Sequence, residues 1–93
     1  MAQRLKNKQP YEAELFTKYV AYAIKSLAQG VASEGQQMAA IKWIVDVASR
    51  ARENPYCPGS DRDTAFAAGR SFVGQQILGI VELDGKRLES LKD

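Results

Sequence analysis

Histidine is absent from this sequence, and cysteine occurs once, at Cys57. Protein zinc sites use several cysteine and histidine ligands, and most catalytic dyads and triads use histidine as the base. The chain offers the residues for neither kind of site, and one cysteine cannot form an internal disulfide. We therefore expect a protein with no metal site, no cofactor and no enzymatic activity.

Long apolar runs are also missing. No stretch approaches the roughly 18 apolar residues of a membrane span. The chain does not open with a charged segment followed by an apolar one, as secretion signals do. The composition, 45% hydrophobic and 26% charged, is ordinary for a globular protein. We expect one domain with no membrane span and no secretion peptide.

A strong net charge is the third absence, since 13 basic residues stand against 11 acidic ones. Three of the basic residues, Arg4, Lys6 and Lys8, lie in the first nine positions, which contain no acid. We interpret residues 1–9 as a basic N-terminal arm and residues 10–93 as a single helical domain. The arm either contacts nucleic-acid phosphates or an acidic protein surface, or it is a solvated chain end.

Two helical patterns fill the first half of the chain. The first opens at Pro10, which suits a first helical turn, and ends at Gly30, a typical C-terminal residue. The second opens with the capping box Ser33–Gln36, in which the serine and glutamine side chains each bind the other's backbone N–H. Its apolar positions continue to about Glu53.

A third helical pattern follows a loop, residues 54–60, that contains two prolines and a glycine. Ser60, Asp61 or Asp63 caps it, and Gly85 ends it before a short polar segment. The sequence thus predicts an all-α fold, a small three-helix bundle with a short C-terminal helical turn. Each helix has more apolar surface than two neighbours would cover, so we expect packing into an oligomer or a larger assembly.

The third helix contains three glycines, Gly69, Gly74 and Gly79. Each costs about 1 kcal/mol relative to alanine inside a helix, and close approach of another backbone is a common compensation. We expect Gly69 at the centre of a buried face, with Gly69 and Gly79 admitting close neighbours. The predicted partner-binding residues are Trp43, Gly69, Arg70, Phe72, Val73 and Gly74.

Arg70 allows two interpretations, because it lies at the edge of the apolar face between the small residues Ala67 and Gly74. Its planar guanidinium suits bidentate binding of a carboxylate or phosphate on a partner. The alternative is an internal ion pair, or a side chain that extends along the edge of the bundle.

Residues 35–83 also carry a distinctive pattern. A helix and a short loop lead to Asp63-x-x-Phe66-x-x-Gly69-Arg70 and then to Val73-Gly74-x-x-Ile77-Leu78. This pattern resembles the Bbp-nineteen-like phage domain, a family of small proteins encoded among the late, head-region genes of short-tailed bacteriophages. The chain departs from it at Ala68, where an acidic residue often precedes the glycine, and at Ser71, where a second basic residue is common.

The resemblance implies a phage origin and a late role, in the host cytoplasm during infection and then in the virion. We expect a helical structural adaptor that binds phage proteins of the portal, the internal core or the head-to-tail region. A host-directed inhibitor and a nucleic-acid-binding accessory of genome packaging are the alternatives. The residues that would contact phosphates are Arg4, Lys6 and Lys8, with Arg50, Arg52 or Arg62.

From the sequence we expect Gly69→Leu to disturb folding or assembly more than Ala67→Leu, because Gly69 is assigned to the centre of the buried face. Thermal stability and incorporation into particles check this expectation. Equal values for the two variants would contradict it.

Overall fold

The computed structural model describes residues 9–92. All regular structure in this range is helical, and its elements in chain order are α1 (Lys18–Ala28), α2 (Glu34–Lys42), a π-helical segment (Trp43–Ala48), α3 (Asp61–Val81) and α4 (Gly85–Glu89). The all-α class is confirmed, and so is a short helix after the third long one. The predicted phosphate contacts Arg4, Lys6 and Lys8 lie outside the described residues.

The first helix begins at Lys18, not at Pro10. Thr17 is its N-cap, and the threonine hydroxyl accepts a hydrogen bond from the backbone N–H three residues ahead at 3.2 Å. Residues 9–16 are not helical, and we call them the N-terminal strap. The prediction fails here because side chains from the second half of the chain bind the carbonyl groups of the strap.

The end of α1 and the start of α2 agree with the sequence patterns. Gly30 follows α1 with a φ of +77°, the left-handed conformation that glycine provides at helix ends. The capping box is confirmed: Ser33 Oγ accepts from the Gln36 N–H at 3.1 Å, and Gln36 Oε1 accepts from the Ser33 N–H at 2.9 Å. The two helices pack against each other, and both Ala23 and Ala40 are fully buried.

The second helix continues into the π-helical segment and ends at Ala48, with Ser49 as its C-cap, not near Glu53. Arg50 then has a φ of 56°, a left-handed conformation that costs a residue other than glycine roughly 1–2 kcal/mol. The N–H of Ala51 donates to the carbonyl of Val45 at 3.0 Å and closes the helix end. The helix is shorter than predicted because the backbone turns at this point to meet α3.

Ser60 is the N-cap of α3, and its hydroxyl accepts a backbone N–H at 3.1 Å. The helix ends at Val81, and Gly85 is the first residue of α4 instead of the predicted stop. Asp84 explains the difference, since its carboxylate accepts the N–H of Arg87 at 2.7 Å and caps a new helix.

One serine joins α3 to the end of the π-helical segment. The hydroxyl of Ser49 donates to the carbonyl of Arg70 at 2.6 Å and accepts from the N–H of Gly74 at 2.8 Å. These two groups of α3 would bond to each other in a regular helix, so the hydroxyl lies within the helical hydrogen-bond ladder. A Cβ at position 74 would lie 2.6 Å from Ser49 Cβ and 2.9 Å from Ala51 Cβ, so this approach requires glycine.

Further side chains of α3 bind carbonyl groups where the preceding helix ends. Three such hydrogen bonds form: Arg70 Nε to the Ala48 carbonyl at 2.7 Å, Ser71 Oγ to the Arg50 carbonyl at 2.8 Å, and Gln75 Nε2 to the Ala51 carbonyl at 3.3 Å. The last carbonyls of a helix have no intrahelical partners, and the helix dipole favours a cation beside them. Together with Ser49, these side chains make a polar contact between α3 and the end of the π-helical segment, and we call it the polar junction.

The apolar core is small. Among residues 9–92 the buried residues of hydrophobic type are Ala23, Ala40, Val45 and Ala51, and no large side chain is fully buried. Large apolar side chains instead lie on the surface, from Leu15 in the strap to Ile80 near the end of α3. Apolar exposure on this scale is typical of proteins that bind other proteins.

We expect Gly74→Ala to lower the free energy of unfolding by about 1–3 kcal/mol, because the new methyl group overlaps Ser49 and Ala51. Gly79→Ala is the matched control in the same helix: nothing lies within 4 Å of its Cβ position, so it should raise stability by up to about 1 kcal/mol. Urea denaturation measures both. Equal effects of the two substitutions would contradict the close contact at Gly74.

Candidate protein-interaction surface

Glu14 connects the N-terminal strap to the polar junction. Its Oε2 accepts from Arg50 Nε at 2.6 Å and from Arg70 Nη2 at 3.4 Å, and all three side chains are largely buried. Charge-assisted hydrogen bonds of this kind are about twice as strong as neutral ones. The ion pair also holds the side chain of Arg50, whose backbone is left-handed, against the strap.

Arg70 lies at the centre of this cluster. Besides Glu14 and the carbonyl of Ala48, its guanidinium donates to the carbonyls of Pro10 and Glu12, the latter at 2.9 Å. A planar guanidinium has five N–H donors and can bind several segments at once. The structure thus favours the internal interpretation of Arg70, which ties the strap, the π-helical segment and α3 together.

An apolar groove of about 820 Å³ opens between the strap and α3, and we call it the strap groove. Two edge-to-face aromatic pairs line it, Tyr11 with Phe66 and Phe16 with Trp43, with ring centroids 6.2 and 6.3 Å apart. Concave apolar sites of this volume are the usual binding places for apolar groups of a ligand or partner. The groove would therefore accept apolar side chains of another protein.

The indole of Trp43 helps to fix the shape of the strap groove. Its N–H donates to the carbonyl of Leu15 at 3.3 Å, so the ring holds the strap while its face remains part of the lining. Gly69 lines the groove as well and leaves space on the α3 side. Trp43 thus lies at one site with the adjacent pair Gly69 and Arg70, which the sequence predicted as partner-binding residues in another helix.

The other predicted partner-binding residues lie elsewhere on α3. Phe72 and Val73 are exposed on the side that faces away from the polar junction. Gly74 is buried against Ser49, so its close neighbour belongs to the same chain.

The predicted position of Gly69 at the centre of a buried face is wrong. Gly69 is exposed, and a Cβ on Gly69 or on Gly79 would meet nothing within 4 Å. The reason is that α3 turns Arg70 and Gly74 toward the polar junction, which places Gly69 on the outside of the helix. The greater disturbance of folding expected for Gly69→Leu than for Ala67→Leu thus loses its basis.

Sequence reasoning missed Ser49, Ser71 and Glu14 as structural residues. Of these three residues, only Ser71 was marked by the sequence, because it stands where the phage-domain pattern commonly has a second basic residue. Ser71 is 2% exposed, and its hydroxyl is bonded to the Arg50 carbonyl, so a long basic side chain does not fit this packing. Neither Ser49 nor Glu14 belongs to a sequence motif that would have marked it.

Two of the three loop arginines considered for phosphate binding form ion pairs within the chain. Arg50 pairs with Glu14, and Arg52 pairs with Asp46. Arg62 is exposed in the first turn of α3. The three do not form a concentrated basic patch, because carboxylates neutralise two of them.

Residues 9–92 lack two further classes of site. No three acidic or cysteine side chains in this range come close enough together to hold a metal ion. None of its helices combines the length and the apolar composition that crossing a bilayer requires.

The fold and the surface define an all-α protein with a polar internal junction and an exposed apolar exterior. Comparison with known proteins found no matching family model, no matching curated protein and no matching solved structure. The phage-domain resemblance consequently depends on the residue pattern itself.

We expect Arg70→Lys to lower the free energy of unfolding by about 3 kcal/mol, because one ammonium group cannot replace the hydrogen bonds of the guanidinium to the strap and to the π-helical segment. Arg62→Lys, in the exposed first turn of the same helix, should change it by less than about 0.5 kcal/mol. Urea denaturation gives both values.

Trp43, the sole tryptophan, provides a second readout for the same pair of variants. Release of the strap exposes its ring to water, so Arg70→Lys should shift its fluorescence to longer wavelength and Arg62→Lys should not. An unchanged spectrum and unchanged stability for Arg70→Lys would show that Arg70 does not hold the strap.

Proposed function

We propose that this chain is a small helical adaptor of a tailed-phage virion, which binds other phage proteins of the portal, the internal core or the head-to-tail region. It acts as an oligomer or as part of a larger assembly and catalyses no reaction. It is made in the host cytoplasm and is then incorporated into the particle. The residue pattern that includes Gly69-Arg70 and Val73-Gly74 supports the phage context.

The exposed apolar surface is the observation that carries the adaptor role. The polar junction and the arginine-held strap order this part of the backbone largely through polar contacts, while many large apolar side chains remain exposed. Four aromatic side chains have exposed fractions between 49% and 64%: Tyr11, Phe16, Phe66 and Phe72. Aromatic side chains supply much of the binding energy at protein interfaces, so this exterior suits a protein partner.

A nucleic-acid-binding role has less support from the described residues. Affinity for a phosphate backbone grows with the number of cationic contacts, and its salt dependence grows with it. Arg50 and Arg52 are each bound to a carboxylate of the chain. We therefore place the protein-binding role first.

Mass spectrometry of purified phage particles tests the proposal. The protein should copurify with the particle at a copy number comparable to that of portal or head-to-tail components. Its absence at more than trace level would contradict a virion role.

A pair of variants tests whether the strap groove makes the contact. Phe16 in the groove and Tyr56 in the 54–60 loop are both 64% exposed, so replacing either by lysine removes a comparable aromatic surface. Phe16→Lys should lower incorporation into particles at least tenfold, about 1.4 kcal/mol of binding free energy. Tyr56→Lys should leave it unchanged.

Circular dichroism of both variants should show the wild-type helix content, which separates a binding defect from unfolding. Equal incorporation of the two variants would remove the strap groove as the contact site.

A further inference from the structure

The side of α3 that faces away from the polar junction is a largely apolar face that the other described residues, 9–92, leave exposed. Gly69, Phe72, Val73, Gln76 and Ile80 share it, at the spacing of one helical stripe. All five are exposed, and Phe72, Val73 and Ile80 are each more than half exposed. We call these five residues the outer face of α3.

The outer face carries no charge. Between Asp63 and Glu82 the only charged residue of α3 is Arg70, and its guanidinium is bound to the strap and to Glu14 on the other side of the helix. A helix that is solvated on one side normally has charged residues there, whereas one that is apolar all round is buried. A partner for this face must itself be uncharged along the contact, since burying an unpaired charge is costly.

We propose that the outer face of α3 binds the same face of a second copy of this chain, with the two helices antiparallel. A second copy supplies an uncharged apolar helix of matching length. The antiparallel arrangement also places the opposite ends of the two helix dipoles side by side.

Shape complementarity selects the antiparallel direction. A crossing between Val73 and Gln76 places Ile80 of each copy over Gly69 of the other, where a Cβ would meet nothing within 4 Å. A parallel pair would set glycine against glycine and isoleucine against isoleucine, leaving a gap at one level and crowding at another. Helices pack closely where a large residue of one helix faces a small residue of the other. In this arrangement Gly69 is the small residue that faces Ile80.

The available apolar area fits a weak, reversible pair. An aromatic side chain buries about 150–250 Å², so the exposed parts of Phe66 and Phe72 leave roughly 200 Å² to cover. Together with the exposed parts of Val73 and Ile80, each copy offers roughly 400 Å² of apolar side chain, and a pair covers roughly 800 Å², which is the size of a weak or transient interface. Phe66 borders the outer face and is about half exposed.

The inference deepens the oligomer part of the proposed function, and sedimentation equilibrium of the full chain tests it. The wild type should form a dimer. Val73→Lys should raise the dimer dissociation constant at least tenfold, about 1.4 kcal/mol. Val31→Lys is the matched control, because Val31 is also an exposed valine, 69% against 56%, but lies in the loop between α1 and α2.

An exchange of a small and a large residue tests the antiparallel direction. Gly69→Ile should weaken the dimer at least tenfold by filling the space that Ile80 of the second copy occupies. The double variant Gly69→Ile with Ile80→Ala should recover most of the loss, because it moves the large residue across the same contact. Gly69 has open space in the monomer, so helix content by circular dichroism should not fall.

Three outcomes would overturn the inference: a wild type that stays monomeric at all concentrations, equal weakening by Val73→Lys and Val31→Lys, or no recovery in the double variant. The outcome for the virion role is separate. If the Val73→Lys variant is monomeric but still enters particles, the adaptor function stands without the dimer. If the wild type is dimeric but absent from particles, the adaptor function is contradicted and the dimer stands.

Discussion

The fold depends on one serine hydroxyl that lies inside the hydrogen-bond ladder of a neighbouring helix. Ser49 accepts from the Gly74 N–H and donates to the Arg70 carbonyl, so two backbones meet at a distance that any Cβ at position 74 would prevent. This contact fixes the rotation of α3 about its own axis. It thereby directs Arg70 toward the strap and turns Gly69 to the outside.

The polar junction has a consequence for the surface. Most small helical domains bury their large apolar side chains between helices, whereas this chain uses backbone carbonyls, two serines and an Arg–Glu–Arg cluster. Many large apolar side chains consequently remain exposed, in the strap groove and on the adjoining outer face of α3, and Gly69 belongs to both surfaces. Order within the chain therefore draws largely on polar groups, whereas the exposed apolar side chains remain available to a partner, which suits an adaptor.

The sequence correctly predicted those helix caps and ends that depend on neighbouring residues. The capping box at Ser33, the N-cap at Ser60 and the stop at Gly30 were readable because each depends on residues close in sequence. The start of α1, the early end at Ala48 and the position of Gly69 depend on contacts between residues 20 or more apart, such as Arg70 with the strap. The sequence pattern predicted that a glycine of α3 makes a close contact, but it did not show that this glycine is Gly74 and not Gly69.

Hydrogen exchange at the backbone amide of Gly74 tests the central claim most directly. If the Ser49 hydroxyl is held in the ladder of α3, this amide should exchange only through global unfolding, and more slowly than the amide of Gly79 on the exposed part of the same helix. Equal exchange rates for the two amides would contradict the account, because they would show that α3 is held no more firmly at Ser49 than elsewhere.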